Sequence, residues 1–240
     1  MLLDRNVTLI ANYILDNLIP PVLRDCAWFM RPFMKIAYGD KTKYLLDFKE
    51  KFPFMSDEEL AQYYRAIVAV PINSNRYTDC NKQCLQWIVQ NVQDYYAINA
   101  GGGHILDAAC GRGYLLNKIL DASPAVVCTG VDIAPSASSV PFEIRQADIT
   151  ALPFCDDSFD VVICTHALEH IREPHKALAE LIRVTRKRLI IVVPRQREYR
   201  YTVDLHINFF PYMYSFKRFI GIKDALYLDL KGDLLCCVDF

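Results

Sequence analysis

The spacing of apolar residues divides the chain near residue 100. In the N-terminal part, Ser56–Glu59 forms a capping box, which predicts a helix that ends before Pro71. Thr78 is predicted to cap a second helix, because a mostly apolar stripe follows it at three- and four-residue spacing. The members of that stripe are Cys84, Trp87, Ile88, Asn91 and Val92. We therefore predict an N-terminal helical cap region over residues 1–100.

From His104 onward, short β-branched runs alternate with helical ones. Strands are predicted at 105–108, 126–131, 142–145, 159–164 and 189–193, with helices at 114–120 and 174–184. This alternation is typical of βαβ units and a parallel sheet. Two final runs, 225–230 and 234–240, flank a Lys-Gly-Asp turn and predict an antiparallel hairpin that closes the sheet. We therefore predict a core over residues 101–240, joined to the helical region at Gly101–Gly103.

Composition narrows the class of protein. The 240 residues are 52% hydrophobic and carry a net charge of −1. This content is enough for a full core, and the charge provides no basic field that would gather nucleic acid. No uncharged run approaches the roughly 18 residues of a membrane helix, and Asp4 near the start argues against a signal peptide. The nine cysteines lack CxxC spacing, which favours a reducing cytoplasm.

The turn after the first predicted strand is the most informative motif. Asp107 stands where that strand ends, and Gly111 and Gly113 let the backbone turn sharply before a helix begins near Tyr114. A ligand above such a turn meets backbone N–H groups and the positive end of a helix. One carboxylate there suits a ligand with an amino group or hydroxyls, and S-adenosylmethionine (SAM) is the obvious candidate. NAD is disfavoured, because Leu116 stands where a dinucleotide fingerprint requires a third glycine.

Three further motifs follow in order, and they fall at the carboxyl ends of successive predicted strands. Asp132 ends the second strand and is placed to accept hydrogen bonds from the hydroxyls of a ribose. Asp148 follows the third strand, where an adenine amino group could be met. The run Ser158–His170 is predicted to be a buried strand followed by polar residues at the opening of the site. Because open α/β sheets bind ligands at this edge, the motifs together predict one site.

These motifs resemble the class I SAM-dependent methyltransferases, in particular the branch that includes the ubiquinone and menaquinone biosynthesis enzymes. The resemblance covers roughly residues 104–220. It implies an α/β fold with a Rossmann-like seven-stranded, mostly parallel sheet, one antiparallel strand and helices on both faces. It also implies that the turn holds the methionine part of SAM, Asp132 the ribose, and Asp148 with Ile149 the adenine. The predicted cofactor-binding residues are Asp107, Ala109, Gly111, Gly113, Asp132, Ile133, Asp148, Ile149 and Thr165.

Two segments depart from the family pattern. Ser136–Val140 stands where the family usually has a full helix, so one wall of the adenine pocket is predicted to be thin or to come from the N-terminal region. Thr185–Arg188 replaces the usual Lys-Pro-Gly-Gly before the fifth strand, and we interpret it as a tightened loop.

Three histidines are candidates for catalysis. His166 and His170 lie in a HxxEH pattern typical of inverted zincins, but a protease is disfavoured because the pattern begins at a strand end. Each is interpreted either as a general base toward an acceptor hydroxyl or as a structural hydrogen-bonding residue. His206 is predicted to border the acceptor pocket, with packing as the alternative. Some quinone O-methyltransferases of the family hold a metal here; because they carry an acid in place of His166, we assign no metal.

Three arginines after the fifth predicted strand form a possible anion clamp. Arg195, Arg197 and Arg200 are candidates to bind a phosphate or carboxylate on the methyl acceptor, and a solvated loop is the alternative. Arg76 and Tyr77, just before a predicted helix, are expected to contribute from the N-terminal side.

The sequence therefore predicts a cytoplasmic SAM-dependent methyltransferase with a small-molecule acceptor, either an anionic carbohydrate, a lipid precursor or another metabolite. Methyl transfer requires the acceptor in line behind the methyl carbon of a sulfonium, so catalysis rests chiefly on positioning. Two alternatives stay open: a SAM-binding scaffold or regulatory protein without catalysis, and a NAD-dependent oxidoreductase. The identity of the acceptor and the oligomeric state are left open.

Overall fold

The chain divides into two compact units. The structure is a computed structural model that describes residues 13–15, 17–68, 77–98, 103–135, 139–198, 200–201 and 204–240. Met1–Arg76 and Gln196–Phe209 form the first unit, and Tyr77–Arg195 and Phe210–Phe240 form the second. The helix predicted after Thr78 thus belongs to the second unit. The functional division at residue 100 stays a prediction.

The first unit is mainly helical in its described residues up to Val68, whereas its described residues between 196 and 209 are irregular. Its helices are α1 (Pro21–Arg24), α2 (Ala27–Tyr38), α3 (Thr42–Lys51) and α4 (Asp57–Val68), with 3₁₀ turns at Gly39–Lys41 and Phe52–Phe54. The predicted capping box precedes α4: the Ser56 backbone N–H donates to the Glu59 carboxylate at 2.7 Å, and the Glu59 N–H donates to the Ser56 hydroxyl at 3.3 Å. The core of the unit includes Met30, Met34, Leu45, Phe48, Leu60, Tyr201 and Leu205.

The second unit contains a seven-stranded sheet. Its strands are β1 (His104–Ala108), β2 (Val127–Asp132), β3 (Glu143–Gln146), β4 (Phe159–Thr165), β5 (Thr185–Pro194), β6 (Leu226–Leu230) and β7 (Asp233–Asp239). The strand order is β3-β2-β1-β4-β5-β7-β6. Strand β7 runs antiparallel to both of its neighbours, and the other pairs are parallel. This topology confirms the predicted fold class, including the closing hairpin.

Helices cover both faces of this sheet. They are α5 (Lys82–Ile98), α6 (Tyr114–Ala122), α7 (Pro174–Val184) and α8 (Met213–Ile220). Because successive side chains of a strand point to opposite faces, Leu106 packs with α7 and α8 residues while its neighbour Ile105 packs with α5 and α6 residues. Burial of both faces explains why β4 and β5 read as nearly continuous apolar runs in the sequence.

The direction of β7 places its first residue at a chemically important edge. In the antiparallel pair with β5, Asp233 stands opposite Pro194, the last residue of β5. The parallel strands β1, β4 and β5 all end at this edge of the sheet. The start of the hairpin's second strand therefore lies at the edge where α/β sheets bind ligands.

The predicted cap of α5 is wrong by three positions. The Thr78 hydroxyl accepts a hydrogen bond from the Cys80 N–H at 3.2 Å, which closes a short turn before the helix. Asn81 caps α5 instead, because its side-chain oxygen accepts from the Cys84 N–H at 3.0 Å. Asparagine is as good an N-cap as threonine, and the cap is decided by which side chain precedes the first helical turn.

The interpretation of Thr185–Arg188 as a loop is also wrong, because these residues form the first part of β5. The basic side chains of this segment pair with nearby carboxylates. Arg188 stands opposite Asp239 of β7 and donates to its two carboxylate oxygens at 2.6 and 2.7 Å. Arg186 lies 3.1 Å from the carboxylate of Asp160. A basic run can therefore extend a strand where the neighbouring strands supply acids.

Some predictions fall outside the described residues. These include the joint at Gly101 and Gly102 and the Ser136–Ser138 part of the shortened segment, whereas Ser139 and Val140 are irregular. Within the part of the chain that the structure describes, no helix has the length and apolar character needed to cross a membrane.

Candidate functional site

Strand β1 brings Asp107 to the ligand-binding edge and leads into a strained turn. The Asp107 side chain is buried, and the turn takes positive φ angles of 72° at Ala109, 55° at Gly111 and 74° at Gly113. The Ala109 N–H donates to the carbonyl of Val131 at 2.8 Å, which ties the turn to β2. Positive φ is costly for residues with a side chain, so glycines here relieve strain.

The two glycines differ in what surrounds them. A Cβ at Gly111 would meet no atom within 4 Å among the described residues, whereas a Cβ at Gly113 would lie 2.7 Å from the Phe142 ring. Gly113 is therefore required both by its φ angle and by close packing. Gly111 is required by its φ angle alone, and it leaves open space beside the turn where a ligand can approach the backbone.

The carboxyl of Asp107 lacks a full set of partners. Its Oδ1 atom is buried and has no hydrogen-bond partner among the described residues. Burial, followed by the nearby Cys80 and Asp132, raises the pKa of Asp107 to about 8. A buried polar atom without a partner is costly, and a ligand that brings an ammonium group would remove that cost. The amino-acid end of SAM carries such a group, so the site fits this cofactor.

Asp132 connects the second motif to the first. One carboxylate oxygen accepts from the Gly111 N–H at 2.8 Å, and the other accepts from the Ala134 N–H at 2.9 Å. The structure thus brings together Asp132 and the glycine turn, as the predicted site requires. A carboxylate has about four acceptor positions, so each oxygen retains capacity for a ribose hydroxyl.

The surroundings of the residues predicted to contact adenine give less indication of a ligand than those of Asp107 and Asp132. Asp148 is exposed and accepts hydrogen bonds from both the N–H and the hydroxyl of Thr150 at 2.8 Å, which is the geometry of a turn cap. Ile149 is buried in the core, Ile133 is exposed, and Thr165 is half-buried at the end of β4. Their contact with adenine stays a prediction.

An aromatic pair lies at the start of α6. The rings of Tyr77 and Tyr114 stack with centroids 5.7 Å apart, and Tyr77 is exposed. Tyr114 directly follows the glycine turn, so the pair lines one side of the N-terminal end of α6. Arg76, predicted to act beside Tyr77, lies outside the described residues.

His166 is held between two buried carboxylates. Its side chain is only 7% exposed; its Nδ1 atom lies 3.4 Å from Glu169 Oε1 and its Nε2 atom 3.3 Å from Asp233 Oδ1. Burial opposes the charged imidazolium, but the Asp233 carboxylate, with Cys80 and Glu169, raises the pKa of His166 well above its usual value. Both ring nitrogens of His166 face buried carboxylates, so this geometry favours the structural interpretation over that of a general base.

The other two histidines lie in different units. His170 ends the 3₁₀ turn Leu168–His170 of the second unit and is half-buried. His206 belongs to the first unit, where it is buried and its Nδ1 atom contacts Gln196 Oε1. Their predicted roles as a base and as a border of the acceptor pocket stay predictions.

The predicted arginine clamp is divided between the units as well. Arg195 belongs to the second unit and forms an ion pair with Asp229 at 2.7 Å. Arg197 and Arg200 belong to the first, where Arg200 pairs with Glu50. Arg195 and Arg200 thus each have a carboxylate partner already, and an acceptor anion would have to compete with it.

Sequence reasoning missed the role of Asp233. It treated the residue as part of the Lys-Gly-Asp hairpin turn, yet the structure buries its carboxylate completely and sets it beside His166. One signal was available: the acid is followed directly by a run of apolar residues, so it opens a buried strand. The edge of the sheet at which that strand opens was decided by the antiparallel pairing.

Comparisons with known proteins agree with this fold. The PH0226 protein of Pyrococcus horikoshii has the same fold, with a TM-score of 0.50 and 18% identity over 74% of this chain and 98% of that chain. Residues 106–193 match the family model of a methyltransferase domain.

The sequence relatives are themselves methyltransferases. Demethylmenaquinone methyltransferase of Renibacterium salmoninarum is 36% identical over 35% of this chain and 38% of the relative. The ubiquinone/menaquinone biosynthesis C-methyltransferase UbiE of Bdellovibrio bacteriovorus is 32% identical over 38% of this chain and 43% of the relative. The chain thus spans about two fifths of the length of these relatives.

The matched segment contains the turn, Asp132, Asp148 and His166. The resemblance to class I SAM-dependent methyltransferases found in the sequence is thereby confirmed for this segment, which matches a methyltransferase domain and is similar to the SAM-binding part of these relatives.

Proposed function

We propose that the protein is a SAM-dependent methyltransferase that acts on a small-molecule acceptor. The observation that carries the proposal is the buried Asp107 Oδ1 atom, which has no hydrogen-bond partner in the described part of the chain and lies beside a turn of positive φ angles. An ammonium group on the ligand would supply that partner. Asp132 would hold the ribose at the tip of β2, next to the turn to which it is already hydrogen-bonded.

The residues of the chain act mainly by binding and positioning. Bound SAM supplies an electrophilic methyl group on a sulfonium. The protein has to hold the acceptor in line with that methyl group and exclude water, which can account for much of the rate enhancement. For a hydroxyl acceptor, or a ring carbon activated by a hydroxyl, a base is also needed. We assign that role to His170, because His166 is enclosed by Glu169 and Asp233.

The proposed acceptor is an electron-rich ring of the quinol class. The named relatives act in menaquinone and ubiquinone biosynthesis, and a ring carbon beside an ionised hydroxyl is a good carbon nucleophile. An anionic carbohydrate or lipid precursor is the alternative, and it would need the arginine clamp. The ion pairs of Arg195 with Asp229 and of Arg200 with Glu50 make the quinol class the better supported of the two.

Calorimetry with S-adenosylhomocysteine tests the cofactor site. Asp107→Ala is expected to weaken binding about tenfold or more, because loss of one buried charge-assisted hydrogen bond costs about 1.5–3 kcal/mol. Asp121→Ala is the control, since this acid is exposed on α6 and pairs only loosely with Lys118 at 3.5 Å. Equal affinity of Asp107→Ala and the unsubstituted protein would refute the assignment of Asp107.

A methyl-transfer assay tests the acceptor. Transfer of a labelled methyl group from SAM to a short-chain demethylmenaquinol is expected, and transfer to a phosphorylated sugar is not. The opposite pattern would replace the quinol class with the anionic one. Tight cofactor binding with no transfer to either class would favour the SAM-binding scaffold, and stabilisation by NAD alone would favour the oxidoreductase.

A further inference from the structure

Two distant segments of the second unit bring two thiols and a carboxylate together. Cys80 lies just before α5, Cys84 lies in its first turn, and Asp233 opens β7. All three are buried, and one ligand atom from each lies within 4.8 Å of the other two. Thiols and a carboxylate at such distances form a set of donors that can converge on one cation.

A fourth donor faces the same group. His166 Nε2 lies 3.3 Å from Asp233 Oδ1, and the imidazole is also within hydrogen-bonding reach of the Cys80 thiol. His166 takes a left-handed φ of 51°, and its backbone N–H donates to the Val192 carbonyl at 2.9 Å. The fold thus holds a residue with a Cβ in a costly backbone conformation that aims its ring at the cluster.

The cluster also has the outer contacts that orient metal ligands. His166 Nδ1 faces the Glu169 carboxylate at 3.4 Å, which is the arrangement that fixes the tautomer of a metal-bound histidine. Asn81 donates its backbone N–H to Asp233 Oδ2 at 2.8 Å, so the Oδ1 atom is the one directed toward His166. The side chain of Asn81 also caps the helix turn that carries Cys84.

We propose that Cys80, Cys84, His166 and Asp233 bind a zinc ion. Two thiolates, one imidazole and one carboxylate form a tetrahedral set that suits zinc, and thiolates select against calcium and magnesium. Tetrahedral zinc bonds of about 2.0–2.3 Å place donor atoms roughly 3.3–3.8 Å apart. The 3.3 Å between His166 Nε2 and Asp233 Oδ1 agrees with that spacing, and the 4.8 Å limit within which the donors of Cys80, Cys84 and Asp233 lie is compatible with it.

The charges of the cluster are compatible with a cation at this position. Once the ion has displaced both thiol protons, the two thiolates and the Asp233 carboxylate carry three negative charges in a buried site, and the divalent ion offsets two of them. Binding balances as follows: the ion forms four bonds, both thiols release their protons, and the imidazole binds in its neutral form after release of any proton on Nε2. No electron transfer is involved.

The proposed role of the ion is structural. All four ligands come from the protein, so no coordination position remains open for a substrate. The ion would cross-link the start of α5, the end of β4 and the start of β7, which are far apart in the sequence. Cys80, Cys84 and Asp233 lie outside residues 106–193, so most of the site is not part of the matched methyltransferase segment.

Metal analysis of the full-length protein tests the proposal independently of methyl transfer. Protein purified without chelators is expected to contain about one zinc per chain by mass spectrometry of the dissolved metal. Cys84→Ser and Asp233→Asn are each expected to lower zinc affinity at least about tenfold. Cys155→Ser is the matched control, because this thiol is exposed in the same unit and should keep full occupancy. Substoichiometric zinc after zinc addition, or full occupancy in Cys84→Ser, would overturn the proposal.

Cobalt substitution of the unsubstituted protein covers the case in which the variants fail to fold. The cobalt form is expected to show thiolate-to-metal charge transfer in the near ultraviolet and intense visible bands of tetrahedral geometry. Cys84→His, which keeps a donor, should retain the visible bands with weaker charge transfer. Absence of charge transfer in the unsubstituted protein, or a Cys80–Cys84 disulfide in place of two metal-bound thiolates, would overturn the assignment.

Discussion

Asp107 and Asp233 are both buried carboxyls at the same edge of one sheet, but their surroundings differ. Asp107 has an oxygen without a hydrogen-bond partner among the described residues, beside open space at Gly111. Asp233 accepts a hydrogen bond from the Asn81 N–H and faces His166. An acid that lacks internal partners indicates a charged ligand from outside, whereas an acid surrounded by thiols and an imidazole indicates a cation held within the fold.

The difference arises from what each strand end meets. Strand β1 leads into a turn in which the N–H groups of Ala109 and Cys110 donate to the Val131 carbonyl and that of Gly111 donates to Asp132, so these three groups are directed away from Asp107. Strand β7 begins against the residue that caps α5, so Asp233 receives that residue's N–H. The two buried carboxyls are therefore suited to different roles: Asp107 to binding a ligand, and Asp233 to cross-linking elements of the fold.

Removal of Asp233 is expected to have the largest effect on stability. Asp233→Ala should lower the free energy of unfolding by about 3 kcal/mol or more, because it leaves buried polar partners unsatisfied. Asp229→Ala, on the same hairpin, removes a partly exposed pair with Arg195 and an exposed hydrogen bond from the Gly232 N–H at 3.3 Å, and it should cost about 1 kcal/mol. Urea unfolding of both variants measures the difference, and equal costs would remove the distinction between the two buried acids.

Substitution of the turn glycines tests whether the ligand occupies the open space beside Gly111. Gly113→Ala should cost about 2 kcal/mol in stability, because strain at positive φ adds to a clash with Phe142. Gly111→Ala should cost only about 1 kcal/mol, from backbone strain alone. If the ligand occupies the space beside Gly111, this variant should also lose affinity for S-adenosylhomocysteine. Unfolding and calorimetry on both variants test this, and unchanged affinity in Gly111→Ala would move the ligand elsewhere.

A pH dependence of cofactor affinity is also expected. The pKa of Asp107 is raised from 3.8 to about 8, so the carboxyl must lose a proton before it can pair with an ammonium. Affinity for S-adenosylhomocysteine should therefore rise by up to about tenfold, or ~1.4 kcal/mol, per pH unit below pH 8 and level off above it. Asp107→Asn should flatten this profile in calorimetry. A slope that persists in Asp107→Asn would belong to another group.

The same shift has a defined sign for stability. Because the folded protein holds the Asp107 proton more tightly than the unfolded chain, the free energy of unfolding should fall as pH rises between about 4 and about 8. This contribution should disappear in Asp107→Asn.

The sequence by itself determined the architecture of the second unit and its cofactor motifs. Alternating β-branched and helical runs predicted the first five strands, and the Lys-Gly-Asp turn predicted the two strands of the closing hairpin. Strand β4 was the plainest of them, because burial on both faces requires a continuous apolar run. The capping box at Ser56 and the turn between Asp107 and Gly113 could also be identified from the sequence. Such features depend on residues adjacent in the chain, so local spacing is enough to identify them.

Only the tertiary structure decided which distant residues meet. The antiparallel return of β7 placed Asp233 beside His166, and the approach of α5 added two thiols without CxxC spacing. Strand pairing likewise set Arg188 opposite Asp239 and turned an apparent loop into part of β5. The physical reason is that charges and metal donors interact through space, and their partners come from strand order and helix packing, which no local pattern records.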